Sequence, residues 1–476
     1  MPKRAVGNTF TALTAIALLL SGCMIGPDYA RPTVDTPPAW RLDVHDAQDL
    51  ANSAWWEQFN DPVLDGLIAT ALRENKDLLI ASARLDEYAG RYGIARAQLF
   101  PQVGGGLDAN RQRNVPAGRS SAVTYNSYEA QLSVSWEIDL WGKLRRQNEA
   151  ARAQFVATEE GRQGVILSLV ASVAGSYIAL RDLDRQLEIA TRTANTRGAS
   201  YQLFKDRYEG GVISLLELSQ NKSQYEEALA TIPALESSIA QQENALSLLL
   251  GRNPDAITRG KTIDELIPPA IPEGLPSTLL ERRPDLRAAE QTLIAANAQI
   301  GVAKAAYYPS ISLTGLFGVA STKLADLFDG GSKVWQYGGA LAQPIFTAGS
   351  LAGQVQVAQA QQQQALFSYQ SAIQDAFRSV NDALIAQDRS RAQLAAQALQ
   401  VEALQQYADT ARLRYDNGYT SYIEVLDAER SLFQAQLQYT QTQQTRLQAM
   451  INLYTAIGGG WVAQADSLSA AAPATD

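Results

Sequence analysis

The residues best suited to a covalent modification lie near the amino terminus. Leu20-Ser21-Gly22-Cys23 places small residues before the only cysteine of the chain, and the apolar run 10–20 before it follows Lys3 and Arg4. The run is too short to span a bilayer and suits the core of a signal peptide. We expect residues 1–22 to be removed and Cys23 to carry acyl chains, each buried methylene adding about 0.8 kcal/mol of membrane affinity.

The residue after the cysteine favours the outer membrane. Bacterial sorting usually keeps a lipoprotein at the inner membrane when Asp follows the acylated cysteine, whereas Met24 follows it here. We therefore expect a protein anchored by lipid on the periplasmic side of the outer membrane and extending into the periplasm. The alternative is an ordinary secreted protein with a coincidental cysteine.

Composition argues against most enzymes. With Cys23 acylated, His45 is the only remaining Cys or His, which is too few for a Cys/His metal site. A Ser-His-Asp relay would have to use His45, which lies in a polar stretch and is expected to be solvated. The chain has no GxxxxGK[ST] loop or GxGxxG turn to hold a nucleotide, and no pair of acidic residues stands out for hydrolysis. The net charge of −9 argues against nucleic acid as a partner. We predict no enzymatic activity, no metal, and no cofactor besides the covalent lipid.

Much of the sequence after the predicted anchor consists of two similar halves. Residues 94–101 match 302–309 at an offset of 208, and residues 207–217 match 414–424 at an offset of 207. Two matches at nearly one offset indicate an internal duplication. The predicted segments are an acylated extended region at 23–60, a first repeat at 61–250, a proline-rich linker at 251–278, a second repeat at 279–456 and a tail at 457–476.

Each repeat is predicted to contain a helix, two short strands, one very long helix, a glycine turn and a returning helix. No proline occurs between Pro116 and Pro233 or between Pro344 and Pro473, and a helix of about 65 residues would extend about 100 Å. Apolar residues at 401, 404, 408 and 411 have the spacing of a coiled-coil seam. The predicted strands are 102–113, 125–140, 309–320 and 334–346, and the predicted long helices are 142–209, 214–250, 348–416 and 421–456.

The second predicted strand alternates apolar with polar residues. Apolar side chains from Tyr128 to Leu140 alternate with polar ones that include Glu129, Glu137 and Asp139. A soluble sandwich has the same period, but the small number of strands and their flanking aromatic residues favour a membrane sheet.

Four strands are too few to close a transmembrane barrel, since the smallest use about eight. An open edge in lipid would leave backbone groups unpaired at several kcal/mol each, so the barrel must be shared between chains. Two chains would supply eight strands and a filled interior, whereas three would supply twelve and leave a lumen lined in part by Glu129, Glu137 and Asp139. Cyclic symmetry would then continue into a tube of paired helices below the barrel.

Several motifs together resemble the TolC-like outer membrane factor family, and in particular its lipoprotein branch typified by OprM. The resemblance implies a mainly α-helical homotrimer whose 12-stranded β-barrel continues into a long periplasmic coiled-coil barrel. It also implies the exit duct of a tripartite efflux system, working with a periplasmic adaptor (membrane fusion) protein and an inner-membrane resistance-nodulation-division pump to expel drugs or other small toxic compounds. The motifs are Gly22 to Tyr29 with Arg31-Pro32, Trp55-Trp56 before Phe59-Asn60-Asp61-Pro62, Leu280 to Leu286, and Tyr308-Pro309-Ser310.

The resemblance further implies a gate at the periplasmic tip. Ile423 stands at the apolar gate position and Asp427 at the aspartate position, while Arg414 and Tyr415 stand where family members tie neighbouring helices together. Three Asp427 carboxylates near one axis would repel one another and need charge partners or bound cations. The alternatives are a solvated helix carboxylate for Asp427 and core packing for Ile423.

Only the second hairpin is expected to form the gate. The position of the first repeat equivalent to Asp427 holds Gln220, at the offset of 207. Gly211 and Gly418 are candidate adaptor contacts, from their place at the tip alone.

Two alternatives remain for the function. A duct of the same kind could pass metal ions or secreted protein, although the chain has only three methionines and so no methionine ladder for soft metal ions. A structural lipoprotein of coiled-coil helices that conducts nothing would explain the cysteine and the helices but not the alternating strand.

Overall fold

The computed structural model describes residues 24–33, 40, 54–115, 118, 120–271, 279–458 and 462. Cys23, the predicted signal peptide and His45 lie outside the described residues. Helices dominate the described part, and four strands form one sheet.

The described helices and strands follow one order twice. In both series a helix of 22 residues precedes two strands, a helix of 67 residues follows them, and a helix of 35 residues returns. Trp55–Phe59 is a 3-10 helix. The other elements are α1 (Pro62–Glu74), α2 (Lys76–Ala97), β1 (Gln102–Asn114), β2 (Val123–Ile138), α3 (Lys143–Glu209), α4 (Leu215–Leu249), α5 (Leu279–Arg282), α6 (Pro284–Ala305), β3 (Ser310–Ser321), β4 (Lys333–Ala342), α7 (Ser350–Asp416) and α8 (Tyr422–Ala456).

Prolines affect one strand end and one helix. β4 ends at Ala342 rather than 346, because Pro344 has no N–H to donate to a ladder. Helix α4 continues through Pro233. Pro233 and Leu229 are both exposed, so water can hydrogen-bond the Leu229 carbonyl that loses its usual helical partner.

The chain divides into two compact units. The first comprises residues 1–33, 84–159 and 288–370 and contains the sheet. A small core of alanines lets its helices approach closely: Ala150, Ala153, Ala295 and Ala298.

Residues 24–32 are fastened to the first unit, and we call them the amino-terminal strap. The Ile25 N–H donates to the Trp141 carbonyl at 3.1 Å. The guanidinium of Arg146, which is 1% exposed, pairs with Asp28 at 2.6 Å and with Glu149 at 2.7 Å. The strap is therefore attached where β2 leads into α3.

The second unit, residues 34–83, 160–287 and 371–476, contains the larger core. Trp55 is fully buried and stacks on Tyr454 with ring centroids 5.4 Å apart. By length and composition α3 is the one helix among the described residues that could cross a membrane, with a window of mean hydropathy 1.7 that is half buried. Its apolar residues Ile166, Val170 and Tyr177 belong to this core, so core packing accounts for that window.

The first turn of α1 contains a carboxyl group in an unfavourable place. Burial, together with Glu57 and Asp61 nearby, raises the pKa of Asp65 to about 6. One carboxylate oxygen of Asp65 is buried without a hydrogen-bond partner. The folded protein therefore disfavours the ionised form of this side chain.

We predict that Asp65→Asn changes how stability depends on pH. Because the folded pKa lies above the ordinary value, wild-type protein should lose stability as the pH rises from about 4 to about 6, and the loss should persist above that. The variant should lack this decrease. Melting temperatures measured between pH 4 and pH 8 would check it, and parallel curves for the two proteins would contradict the prediction.

Candidate functional site

The sheet presents two chemically different faces. Its strands lie in the order β1-β2-β3-β4, all antiparallel. Leu132 lies opposite Phe317, which lies opposite Trp335, so large apolar residues align across the strands. All three are more than half exposed, at 56%, 61% and 68%. Such an exposed apolar face suits a membrane rather than water.

The other face is polar. Glu129 and Glu137 lie on it, and the register sets Asp108 of β1 directly opposite Glu129. Like charges in that position repel each other unless cations or water screen them. Sequence reasoning missed Asp108. The signal was available, because Asp108, Asn110 and Gln112 are polar at every second position of β1.

Asp139 lies one residue beyond the end of β2. Its carboxylate accepts hydrogen bonds from the backbone N–H groups of Leu144 and Arg145 at 3.1 and 2.9 Å, and it pairs with the Arg145 guanidinium at 3.1 Å. A carboxylate at the first turn of a helix satisfies free N–H groups and complements the helix dipole. Asp139 thus lies outside the strand and stabilises the start of α3, where Glu137 also pairs with Lys143 at 3.2 Å.

Both outer strands leave one edge open. Within the described residues β1 pairs only with β2, and β4 only with β3. Open edges present a row of unsatisfied backbone groups and are templates for another strand. The sheet of one chain is therefore incomplete in a membrane.

In the second unit, the two turns that join the long helices have the same backbone geometry. The Val212 N–H donates to the Arg207 carbonyl, and the Tyr419 N–H donates to the Arg414 carbonyl, each at 2.9 Å. Gly211 and Gly418 adopt φ of +73° and +76°. These are the bonds and the left-handed residue of a Schellman cap, which favours glycine. No atom of the described residues lies within 4 Å of a Cβ built on either glycine, so neither turn is covered by the part of the chain that the structure describes.

The charges at the two turns differ. In the first hairpin, Ser214 and Glu217 form a capping box at the start of α4. In the second, the equivalent Glu424 accepts from Thr420 Oγ1 and pairs with Arg414 at 3.2 Å. Arg414 thereby joins the end of α7 to the start of α8.

An aromatic cluster holds the two hairpins together. Tyr422 is 2% exposed, and its ring lies 4.2 Å from that of Phe204 and 5.0 Å from that of Tyr415. Its hydroxyl accepts a hydrogen bond from Asn221 Nδ2 at 2.6 Å and lies 3.3 Å from Ser200 Oγ. Burial raises the pKa of Tyr422, so the hydroxyl stays protonated at neutral pH.

Two gate candidates lie on the exposed side of α8. Ile423 is 58% exposed. Asp427, one turn further on, is 54% exposed and pairs with Arg430 at 3.0 Å. Ile423 and Asp427 thus form an exposed stripe, one apolar residue and one acid a turn apart, that no described residue covers.

Further from the turns, the second unit contains a buried arginine. Arg197, 3% exposed, donates to the Gln224 carbonyl at 2.8 Å, and its guanidinium lies 5.2 Å from the Phe433 ring centroid. Burial lowers its pKa, which Glu227 and Glu429 oppose. Burial raises the pKa of Glu429, which Arg412 and Arg197 oppose. The helices of the hairpins are thus coupled by charge as well as by packing.

The comparisons with known proteins agree with this architecture. The model of the outer membrane efflux protein family matches residues 67–252 and 275–459. The toluene efflux pump outer membrane protein TtgF of Pseudomonas putida is 37% identical over 94% of this chain and 96% of its own. The outer membrane lipoprotein SilC of Salmonella typhimurium, named as probable, is 36% identical over 93% of this chain and 97% of its own.

A solved relative extends the agreement to three dimensions. The cation efflux system protein CusC of Escherichia coli is 36% identical over 94% of this chain and 97% of its own. A crystal structure of CusC matches with a TM-score of 0.83 at 34% identity, covering 92% of this chain and all of that one.

The class defined by the fold and its membrane sheet is that of outer membrane channels. This chain belongs to the outer membrane efflux protein family, and the resemblance found in the sequence is confirmed. It is an efflux channel of the outer membrane, and its relatives are ducts rather than enzymes.

We predict that Tyr422→Phe destabilises the tip. Loss of the hydroxyl leaves the buried Asn221 amide without its 2.6 Å partner, which should lower the free energy of unfolding by about 1–3 kcal/mol. Thermal or denaturant unfolding in detergent would measure it. The control is Tyr419→Phe, because Tyr419 is 77% exposed, and equal stability of the two variants would contradict the prediction.

Proposed function

We propose that three copies of this chain close one twelve-stranded barrel, with β1 of each copy pairing with β4 of the next. The open edges of the sheet carry this proposal, because backbone groups exposed to lipid cost several kcal/mol each. Three copies leave a lumen, and the polar face with Glu129 and Glu137 would line it. Below the barrel, the long helices of the three copies form the periplasmic tube.

The two series of elements are one unit duplicated within the chain. Equal helix lengths of 22, 67 and 35 residues support this. Three copies of a duplicated unit give six similar hairpins around one axis, so a protein of threefold symmetry approaches a sixfold tube.

The anchor is a lipid on Cys23, which makes the channel a lipoprotein held on the periplasmic side of the outer membrane. The strap supports this, because Met24 packs against Gly142 beside the base of the sheet. Trp141 and Tyr308 lie there with ring centroids 4.9 Å apart. Aromatic pairs of this kind favour a membrane interface.

The channel is closed at the tip by the second hairpin. Ile423 would narrow the lumen, and three Asp427 carboxylates would form a ring of negative charge. The Arg414–Glu424 pair keeps α7 and α8 of one hairpin together. A periplasmic adaptor that binds the open tip more tightly than the closed tip would open it, and the exposed turns at Gly211 and Gly418 are its proposed contacts.

The cargo is small toxic organic compounds or antibiotics, driven by an inner-membrane pump of the resistance-nodulation-division type. The toluene pump TtgF supports this cargo. The cation system CusC supports the second candidate, metal-ion efflux, and export assays with each class of compound in a deletion strain would separate the two.

The mass of the purified protein tests the shared barrel. In mild detergent, after correction for bound detergent, we expect three copies per particle. A monomer would contradict the shared barrel. The intact mass of the denatured chain from the same sample tests the anchor, and it should equal residues 23–476 plus acyl chains.

Single-channel conductance tests the gate. Replacing Arg414 and Asp427 by Ala removes the pair with Glu424 and the proposed ring, so the conductance in lipid bilayers should rise. The matched control is the double variant Arg207→Ala with Gln220→Ala, which changes the equivalent positions of the first hairpin. Equal conductance of both double variants would remove these residues from the gate.

A further inference from the structure

The apolar face of the sheet contains a groove that efflux does not explain. Its volume is about 680 Å³, within the range of ligand sites. It lies across the middle of β1, β2 and β3. The lining residues include Leu107, Leu132, Phe317, Val319, Phe328 and Lys333.

An exposed phenylalanine forms one wall of this groove. Phe328 comes from the segment between β3 and β4, and it is 81% exposed. Its neighbour Leu327 is 5% exposed, so the segment is fixed beside an aromatic ring that has little cover of its own. The groove therefore offers apolar contact on its floor and on one side.

The basic side chains beside the groove lie on the same face. Lys333 lines the groove and lies opposite Val319, a residue of the apolar face. Arg111 and Arg113 follow Leu107 and Ala109 at intervals of two in β1, so they share this face too. None of these three cations forms a salt bridge to a residue that the structure describes. The acids Asp108 and Glu129 lie on the opposite face.

One end of the strands adjoins the helices, and the other end does not. β1 begins five residues after the end of α2, and β2 ends five residues before the start of α3. Arg111 and Arg113 lie toward the other end, near the β1–β2 turn, and Lys333 is the first residue of β4, after the β3–β4 segment at that same end. If the helices extend into the periplasm, that end lies in the outer leaflet, where the lipid is an acylated glucosamine disaccharide that carries phosphates.

We infer that the groove binds an acyl chain of this outer-leaflet lipid while Lys333, Arg111 and Arg113 bind its phosphates. The inference rests on the proposed placement of the sheet in the outer membrane. An apolar groove ending in unpaired cations matches an amphiphile that is apolar along its chains and anionic at its head. A zwitterionic phospholipid matches the groove but supplies no net negative charge to the cations.

Native mass spectrometry of the full-length channel in mild detergent tests the inference. The probe is bisphosphorylated lipid A, titrated against the wild type and the triple variant Lys333→Ala, Arg111→Ala, Arg113→Ala. Because each basic side chain near anionic lipid contributes about fivefold, the triple variant should bind on the order of a hundredfold more weakly. Phe328→Ser should weaken binding of both lipid A and its dephosphorylated form, since it removes the apolar wall.

Matched controls separate this site from general charge effects. Lys205→Ala, Lys222→Ala and Arg252→Ala remove three exposed charges from the second unit, and this triple variant should bind like the wild type. Phe346→Ala is the aromatic control, because Phe346 is 88% exposed and does not line the groove.

Two results would overturn the inference. One is equal affinity of the wild type for lipid A and for its dephosphorylated form, and the other is equal loss of binding in both triple variants. Conductance of the same samples separates this failure from failure of the proposed function. Conducting trimers without phosphate-dependent binding would refute the lipid site alone, whereas a preparation that neither trimerises nor conducts would refute the barrel.

Discussion

Backbone hydrogen bonding in a medium without water is the constraint on which the rest of this structure depends. A sheet of four strands satisfies its interior groups but leaves two edges open, and hydrocarbon offers those edges no partner. The proposed barrel of three copies would give both edges a partner. The exposed Ile423 and Asp427 in the second unit follow the same logic, because side chains left uncovered in one copy are available to a neighbouring copy.

The two hairpins separate what the backbone fixes from what side chains decide. Their turns have the same Schellman bonds and the same left-handed glycines. Glu217 caps its own helix, whereas Glu424 at the equivalent position pairs with Arg414. A single exchange of partners thus gives one hairpin a self-contained cap and the other an ion pair that bridges two helices and can be broken. The same backbone thus has different side-chain partners in the two hairpins.

Local patterns in the sequence predicted the elements better than their contacts. The alternation from Tyr128 to Ile138 predicted both faces of β2, since the two-residue period of a strand depends on backbone geometry alone. Pro344 could have placed the end of β4. The cluster of Phe204, Asn221 and Tyr422 gave no signal, because the equivalent positions in the other repeat are Ala411, Ala428 and Leu215. The pairing of Asp108 with Glu129 across two strands required the three-dimensional register.

The amino-terminal strap has a mechanical consequence. It is attached between β2 and α3 by the hydrogen bond of the Ile25 N–H to Trp141 and by the salt bridge of Asp28 with Arg146. A lipid on Cys23 would be separated from the attached Ile25 by one residue, Met24, which is too short to form a flexible tether. Force on the lipid anchor would therefore act directly on the base of the sheet and the first turn of α3, because no flexible linker separates them. Such a short connection would limit how far the sheet can shift or tilt relative to the bilayer surface.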